Sequence, residues 1–152
     1  SLREIKQALV YKVDEKDTIM IISNSGRNAV PVEMAIEAKK KGAKVIAMTS
    51  MKHSAEVTSR HSSGKRLFEC ADVVLDNVAD KGDANFYVDN FNVPTGPTSD
   101  FAGIALANTL IVTVIDQLVK DGHQPPVFRS SNVDGADEYN NELFDKYYGY
   151  WK

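Results

Sequence analysis

The 152-residue chain predicts an α/β fold built on a parallel sheet. Three observations carry that prediction. Four consecutive apolar residues, Ile19 to Ile22, run straight into Ser23-Asn24-Ser25-Gly26, the pattern of a strand covered on both faces that ends in a tight turn. An amphipathic helical segment follows, from about Ala29 to Lys41, and a second apolar run, Lys44 to Met48, comes after it. The roughly 20 residues between the two runs suit a right-handed strand, helix, strand crossover, which makes the strands parallel neighbours.

Taken in order, Leu2, Ile5, Leu9 and Val13 recur at helical spacing and predict a helix over residues 2–12 with one face on the sheet. Asp14 to Asp17 is a polar connector, and Thr18 to Ile22 is the first strand. In the following helix Asn28 is the candidate N-cap, Pro31 sits in the first turn where no amide partner is lost, and Glu33 complements the dipole. Lys39, Lys40 and Lys41 read as a solvated helix end capped by Gly42. After the second strand, Thr49 to Lys65 is a long polar segment carrying His53, Arg60 and His61, and a short helix is expected from Ser63 or Gly64 to about Ala71. Asp72 to Asp76 is a third strand, Asn77 to Asn85 a turn-rich loop, and Phe86 to Val93 an edge strand or hairpin arm ended by Pro94, Gly96 and Pro97. Thr98 or Ser99 caps a long helix to about Lys120, apolar on nearly every face, which fits a central position or a subunit interface. An extended arm, Pro125 to Phe128, leads to a last helix from Asp134 to Tyr148.

Composition narrows the function classes. With 43% hydrophobic and 26% charged residues and a net charge of −3, the chain has no basic footprint for nucleic acid. The single cysteine, Cys70, forms no intrachain disulfide, reads as core, and suits a reducing cytoplasm. Ile104 to Val119 is interrupted by Asn108, Thr113, Asp116 and Gln117, so it reads as a buried helix and not a membrane span. No Walker loop, dinucleotide fingerprint, nucleophile elbow or zincin motif occurs, and no cofactor is expected. His53 and His61, eight residues apart with one cysteine in the chain, do not make a zinc spacing, and the Asn132-Asp134-Gly135 stretch lacks the calcium loop's glutamate. No metal site is expected.

The chemistry concentrates at the first turn. Ligands of open parallel sheets sit beyond the carboxyl ends of the strands, and there Ser23, Asn24, Ser25 and Asn28 offer neutral donors beside the amides of a helix N-terminus, with Gly26 allowing close approach. That corner suits an anion, most simply a phosphate; an ordinary tight turn is the alternative. Glu33, one helical turn on, is either a dipole partner or a base. His53 and His61 are either proton shuttles or surface histidines, and Arg60, Lys65 and Arg66 form either a second anion contact or a solvated loop.

The run Ile-Ile-Ser-Asn-Ser-Gly-Arg-Asn-Ala-Val-Pro-Val-Glu-Met-Ala, with His53-Ser54, His61-Ser62-Ser63-Gly64-Lys65-Arg66, Gly82-Asp83-Ala84, Gly96-Pro97-Thr98-Ser99 and Asn132-Val133-Asp134-Gly135, resembles the SIS (sugar isomerase) domain family, and within it the UPF0309 branch. The resemblance implies a doubly wound, Rossmann-like parallel sheet with helices on both faces, homodimerisation, and a phosphorylated sugar at the strand ends. It also implies a single domain over residues 1–152, with 122–152 as a C-terminal arm and helix. This domain would be the C-terminal portion of a longer family domain, lacking that family's first strand. By position, Ser23, Asn24, Ser25, Gly26, Asn28, Thr98 and Ser99 look like phosphosugar-binding residues, and Glu33, His53 and His61 like candidates for catalysis. The activity expected is a sugar-phosphate isomerase that moves a proton beside a carbonyl; the alternatives are a non-catalytic phosphosugar sensor and a sugar-phosphate lyase or etherase. No direct nucleic-acid or membrane partner is implied.

Overall fold

Just after a turn at Asp14, the chain forms β1 (Thr18–Ile22), and in this computed structural model, which describes residues 13–148, β1 is the edge of a three-stranded parallel sheet. It pairs with β2 (Lys44–Thr49) in the register Thr18 with Lys44 through Ile22 with Met48, and β2 pairs with β3 (Val73–Asp76) from Ile46 with Val73 to Thr49 with Asp76. The sheet order is β1-β2-β3. The helix expected over residues 2–12 lies outside the described residues.

Between β1 and β2 runs α1 (Ala29–Lys40). Its inner face is made of small residues, Val32, Ala35 and Ala38, so the helix closes tightly on Ile21, Val45 and Ala47, with Leu67 and Cys70 completing the core. Lys41 is the C-cap and Gly42, at φ +88°, reverses the chain: its N–H donates to the Lys39 carbonyl and the Ala43 N–H to Ala38, the two bonds of a Schellman end. The lysine run is exposed, as expected, and two of its members carry surface ion pairs. Lys39 Nζ lies 2.6 Å from Asp72 Oδ1 and Lys40 Nζ 2.7 Å from Glu37.

Asp72 joins three elements, because its other oxygen accepts the Val45 N–H at 2.9 Å. The Lys39 ammonium first, and the Val45 amide with it, hold this carboxyl below the usual aspartate range. A depressed folded value means stability that is complete above the ordinary aspartate value near pH 4 and lost as pH falls through the lower folded value. Asp72→Asn is therefore expected to lower the Tm at pH 7 and to flatten the acid limb of a Tm-against-pH curve, measured by circular dichroism.

The opposite sheet face carries Met48, fully buried, with its sulfur 3.9 Å from where a Cβ on Gly103 would stand. Gly103 belongs to α3 (Thr98–Lys120), so helices meet both faces of the sheet, as a doubly wound arrangement requires. Coverage of β1 falls short of the expectation. Only Ile21 is buried, and Ile22 is 57% exposed among the described residues.

The β2 to β3 crossover differs from the helix expected there. It holds a one-turn helix, α2 (Met51–Ser54), then an irregular strap, then a single 3-10 turn at Leu67–Glu69. The hydroxyls of Ser59 and Ser63 bind the Lys65 carbonyl and the Lys65 amide, local bonds that compete with helix formation. Beyond β3, the strand expected over 86–93 is reduced to β4 (Ala84–Phe86), paired antiparallel with β5 (Thr95–Pro97). A turn closed by the Phe91 amide on the Val88 carbonyl, with Asn90 at φ +62°, replaces the rest.

The described chain divides into two compact units, one ending at Ala107 and the other starting at Asn108. In the second, α3 ends at Lys120 and Gly122 follows at φ +84°, and α4 (Ala136–Tyr148) is tied to the preceding arm by a reciprocal pair of 2.8 Å bonds between Asn140 and the Arg129 backbone. Burial of α3 is where the sequence reading departs most. Gly103 is its one buried residue among those described, while Phe101, Ile104, Ile111 and Val112 are more than half exposed. Among the described residues α3 is the one helix long and apolar enough to cross a membrane, by length and composition alone.

Candidate functional site

The turn after β1 is built by its neighbours at the carboxyl ends of the strands. Ser23 N–H continues the ladder to the Met48 carbonyl at 2.9 Å, and Gly26 N–H closes a four-residue turn on the Ser23 carbonyl at 3.1 Å. The Asn24 carbonyl accepts the Ser50 amide and the Thr49 hydroxyl, both at 3.0 Å. Because Thr49 gives its proton to Asn24, the 2.5 Å contact between Thr49 Oγ1 and Ser54 Oγ is donated by Ser54. These buried hydroxyls form the floor beneath Gly26, whose φ of +57° and lack of a Cβ both matter: an added Cβ would stand 2.8 Å from Ser54 Oγ.

The strap after α2 presses on the far side of this turn. Leu67 N–H binds the Gly26 carbonyl and Arg60 N–H the Arg27 carbonyl, both at 2.8 Å, while the Arg27 guanidinium returns to Thr58. Arg60 Nη1 donates to Asn28 Oδ1 at 3.2 Å. Asn28 stands at the N-cap position as expected, but its oxygen is committed to Arg60 and makes no side-chain cap. What remains at the turn is a set of donors. The amides of Ser25, Arg27 and Asn28 and the hydroxyls of Ser23 and Ser25 donate to no protein acceptor among the described residues, and they surround the N-terminus of a twelve-residue helix. Such a group favours an anion, and the cationic Arg60 beside it adds to that preference.

Glu33 lies past the first turn of α1, is 8% exposed and faces the strap. Its Oε2 is 2.5 Å from His61 Nε2. The other imidazole nitrogen, Nδ1, accepts the Ser63 N–H at 3.1 Å and lies 2.8 Å from Ser63 Oγ. A backbone amide can only donate, so Nδ1 carries the lone pair and Nε2 the proton, which goes to the Glu33 carboxylate. Both imidazole nitrogens are thus engaged within the protein. Two of the three basic residues flanking His61 are also placed: Arg66 forms an ion pair with Glu69 and binds carbonyls of Ser54 and Ala55, holding the Glu69 carboxyl below its usual range, whereas Arg60 reaches the turn. Cys70 is buried in the core as expected, and burial pushes its thiol up.

A cavity of about 460 Å³ opens on the other side of the turn, lined by Ser23, Asn24, Asn77, Ser99 and Asp100, with Ile22, Gly103, Ile104 and Ala107 as its apolar wall. The structure therefore brings three of the expected binding residues, Ser23, Asn24 and Ser99, to one cavity. Ser25, Gly26 and Asn28 sit at the turn outside its lining, and Thr98 donates its hydroxyl to the Asp83 carbonyl. Glu33, His53 and His61 do not line it. His53 is in α2, with a buried Nδ1 that has no hydrogen-bond partner among the described residues. Sequence reasoning missed Asn77 and Asp100. Asn77 donates to Asn24 Oδ1 at 3.2 Å and follows β3 directly, so the rule that sites gather beyond carboxyl ends of strands could have found it. Asp83, at φ +75°, takes the cap role assigned to Thr98 or Ser99: its carboxylate accepts the Ser99 amide and hydroxyl at 2.7 and 2.8 Å.

Comparison with known proteins bears on this arrangement. A family model for the SIS domain matches residues 3–50, the stretch containing β1, the donor turn, α1 and β2. The chain is 62% identical over 138 residues to the UPF0309 protein BH3325 of Halalkalibacterium halodurans, covering 91% of this chain and 57% of that protein. It belongs to the UPF0309 branch of the SIS-domain family. Other members of the branch similar to it are the protein lin2794 of Listeria innocua, 46% identical over 131 residues, and GWCH70_1414 of a Geobacillus strain, 41% over 135. They are matched over 86% and 89% of this chain and 53% and 55% of their own lengths. The chain thus spans a little over half the length of these UPF0309 relatives. The α/β sheet, with its donor turn after β1, is this chain's version of the SIS fold.

Proposed function

We propose that this SIS-domain chain binds a phosphorylated sugar, with the phosphate on the Ser23–Asn28 turn and the sugar directed into the adjoining cavity. The observation that carries the reading is the set of uncommitted amides and hydroxyls at the N-terminus of α1, a group that matches the oxygens of a phosphate. Ser99 and Asn24 then face the sugar, and Thr98 supports the β5 to α3 corner. In keeping with this reading, the protein works in the cytoplasm, where phosphorylated sugars are retained, and pairs as a homodimer through the exposed apolar side of α3.

Within that reading the finer proposal is an aldose–ketose isomerase, in which a base removes the proton beside the carbonyl and returns it to the neighbouring carbon. Glu33 with His61, and His53 with its unpartnered nitrogen, are the candidate proton carriers. A binding-only sensor is the second reading, and the engagement of both His61 nitrogens favours it. Two measurements decide. Ser25→Ala is expected to weaken binding of glucose 6-phosphate about tenfold, as loss of a hydrogen bond to a charged group does, with Tm unchanged; unaltered affinity would overturn the phosphate assignment. Solvent deuterium incorporation into a panel of sugar phosphates marks the isomerase, and binding without exchange marks the sensor.

A further inference from the structure

We infer that Asp100 is the residue that reads the sugar in this cavity and that it selects ligands whose far end is uncharged. The inference rests on the phosphosugar reading and extends it to the substrate class. Asp100 supplies the one carboxylate of the cavity lining. It is exposed and makes no hydrogen bond or ion pair among the described residues. Its acidic neighbour Asp83 is different, being fully engaged with Ser99.

The surroundings of Asp100 have the chemistry of a polyol site. Asn24 Nδ2 is buried and has no acceptor among the described residues, although the Asn24 side-chain oxygen is fixed by Asn77. A buried donor left open in this way is costly and calls for an acceptor from a ligand. Sugar hydroxyls answer both groups: they accept from an amide and donate to a carboxylate, and a vicinal pair can donate to both carboxylate oxygens. Ile22, Ile104 and Ala107 offer the apolar surface that the C–H side of a sugar covers. The two ends of the site also have opposite charge preferences. The turn, with its amides and Arg60, favours an anion, and Asp100 repels one. A sugar monophosphate with a neutral far end fits this polarity, and a second anionic group at that end faces like charge in a partly enclosed cavity.

Titration calorimetry of the full chain with inorganic phosphate, glucose 6-phosphate and 6-phosphogluconate tests the inference. The wild type is expected to prefer glucose 6-phosphate to 6-phosphogluconate by about tenfold. Asp100→Asn is expected to leave inorganic phosphate affinity within about twofold, weaken glucose 6-phosphate by about tenfold and shrink the preference against the acid. Asp100→Glu, which keeps the charge, retains that preference and excludes a merely structural effect, with Tm checked for both variants. Wild-type affinities for both sugars in Asp100→Asn would overturn the role of Asp100 while leaving the phosphate site standing. Failure of the wild type to bind inorganic phosphate and both sugars would overturn the phosphosugar reading and this inference with it.

Discussion

Gly26→Ala is expected to destabilise the protein by about 2–4 kcal/mol, from roughly 1 kcal/mol or more of left-handed backbone strain and 1–3 kcal/mol of overpacking. The clash is with atoms that cannot retreat. A Cβ would lie 2.8 Å from Ser54 Oγ and 3.3 Å from Thr49 Oγ1; these two hydroxyls are bonded to each other, and that of Thr49 also to the Asn24 carbonyl. Gly64→Ala separates the two contributions. Gly64 has a φ of +72° but nothing within 4 Å of where its Cβ would stand, so it carries the backbone strain alone and should cost about 1 kcal/mol. Urea unfolding of both variants measures the difference. Equal losses would mean that the floor of hydroxyls under the turn yields easily.

The second large effect is expected at the Glu33–His61 pair. The two side chains are 10% and 7% exposed, so removing the imidazole takes one hydrogen-bond donor from a buried carboxylate, and His61→Ala should cost about 2–3 kcal/mol. Glu33→Gln keeps the shape and should cost less, about 1–2 kcal/mol, since the amide oxygen still accepts from Nε2–H. The double variant is expected to lose less than the sum of the single ones, because the pair acts as a unit. A second readout tests the geometry: His61 anchors the strap on α1, so His61→Ala should speed tryptic cleavage at Arg60 and Lys65 well before global unfolding. Unchanged cleavage would show that the Arg60 and Leu67 contacts hold the strap without the pair.

Local pattern and long-range contact divide what was legible in the sequence. The bounds of β1 and α1 were readable almost to the residue, because an unbroken apolar run and a small-residue helical face mark them in adjacent positions, although only Ile21 of β1 is buried. The Gly42 cap was equally local, whereas α3 starts near where it was read but is capped from a distance, by Asp83. The crossover after β2 was not, since Ser59 and Ser63 bond to the backbone in place of a helix. At the candidate site, Ser23 to Asn28 could be named from the motif, but the commitment of Asn28 Oδ1 to Arg60, the pairing of Glu33 with His61 and the convergence of Asn77 and Asp100 all join residues far apart in the chain. No spacing rule reaches such pairs. The exposure of α3 was missed for a different reason: its composition reports a preference for apolar surroundings, and the described residues leave most of its surface uncovered.

The strap has a consequence for how the candidate site takes shape. Arg27 is held by a residue 31 positions away and Asn28 by one 32 positions away, and the Gly26 carbonyl waits for Leu67. The donor turn therefore cannot take its shape as a nascent hairpin or helix start; it sets only when the second crossover has folded back over the first, late in the order of events because long loops close before their contacts stabilise them. Refolding monitored by ligand capture should lag behind refolding monitored by helix signal. In the native state, amide exchange in residues 58–67 should slow when the turn is occupied, so that the strap acts as the protein's own reporter of a filled site.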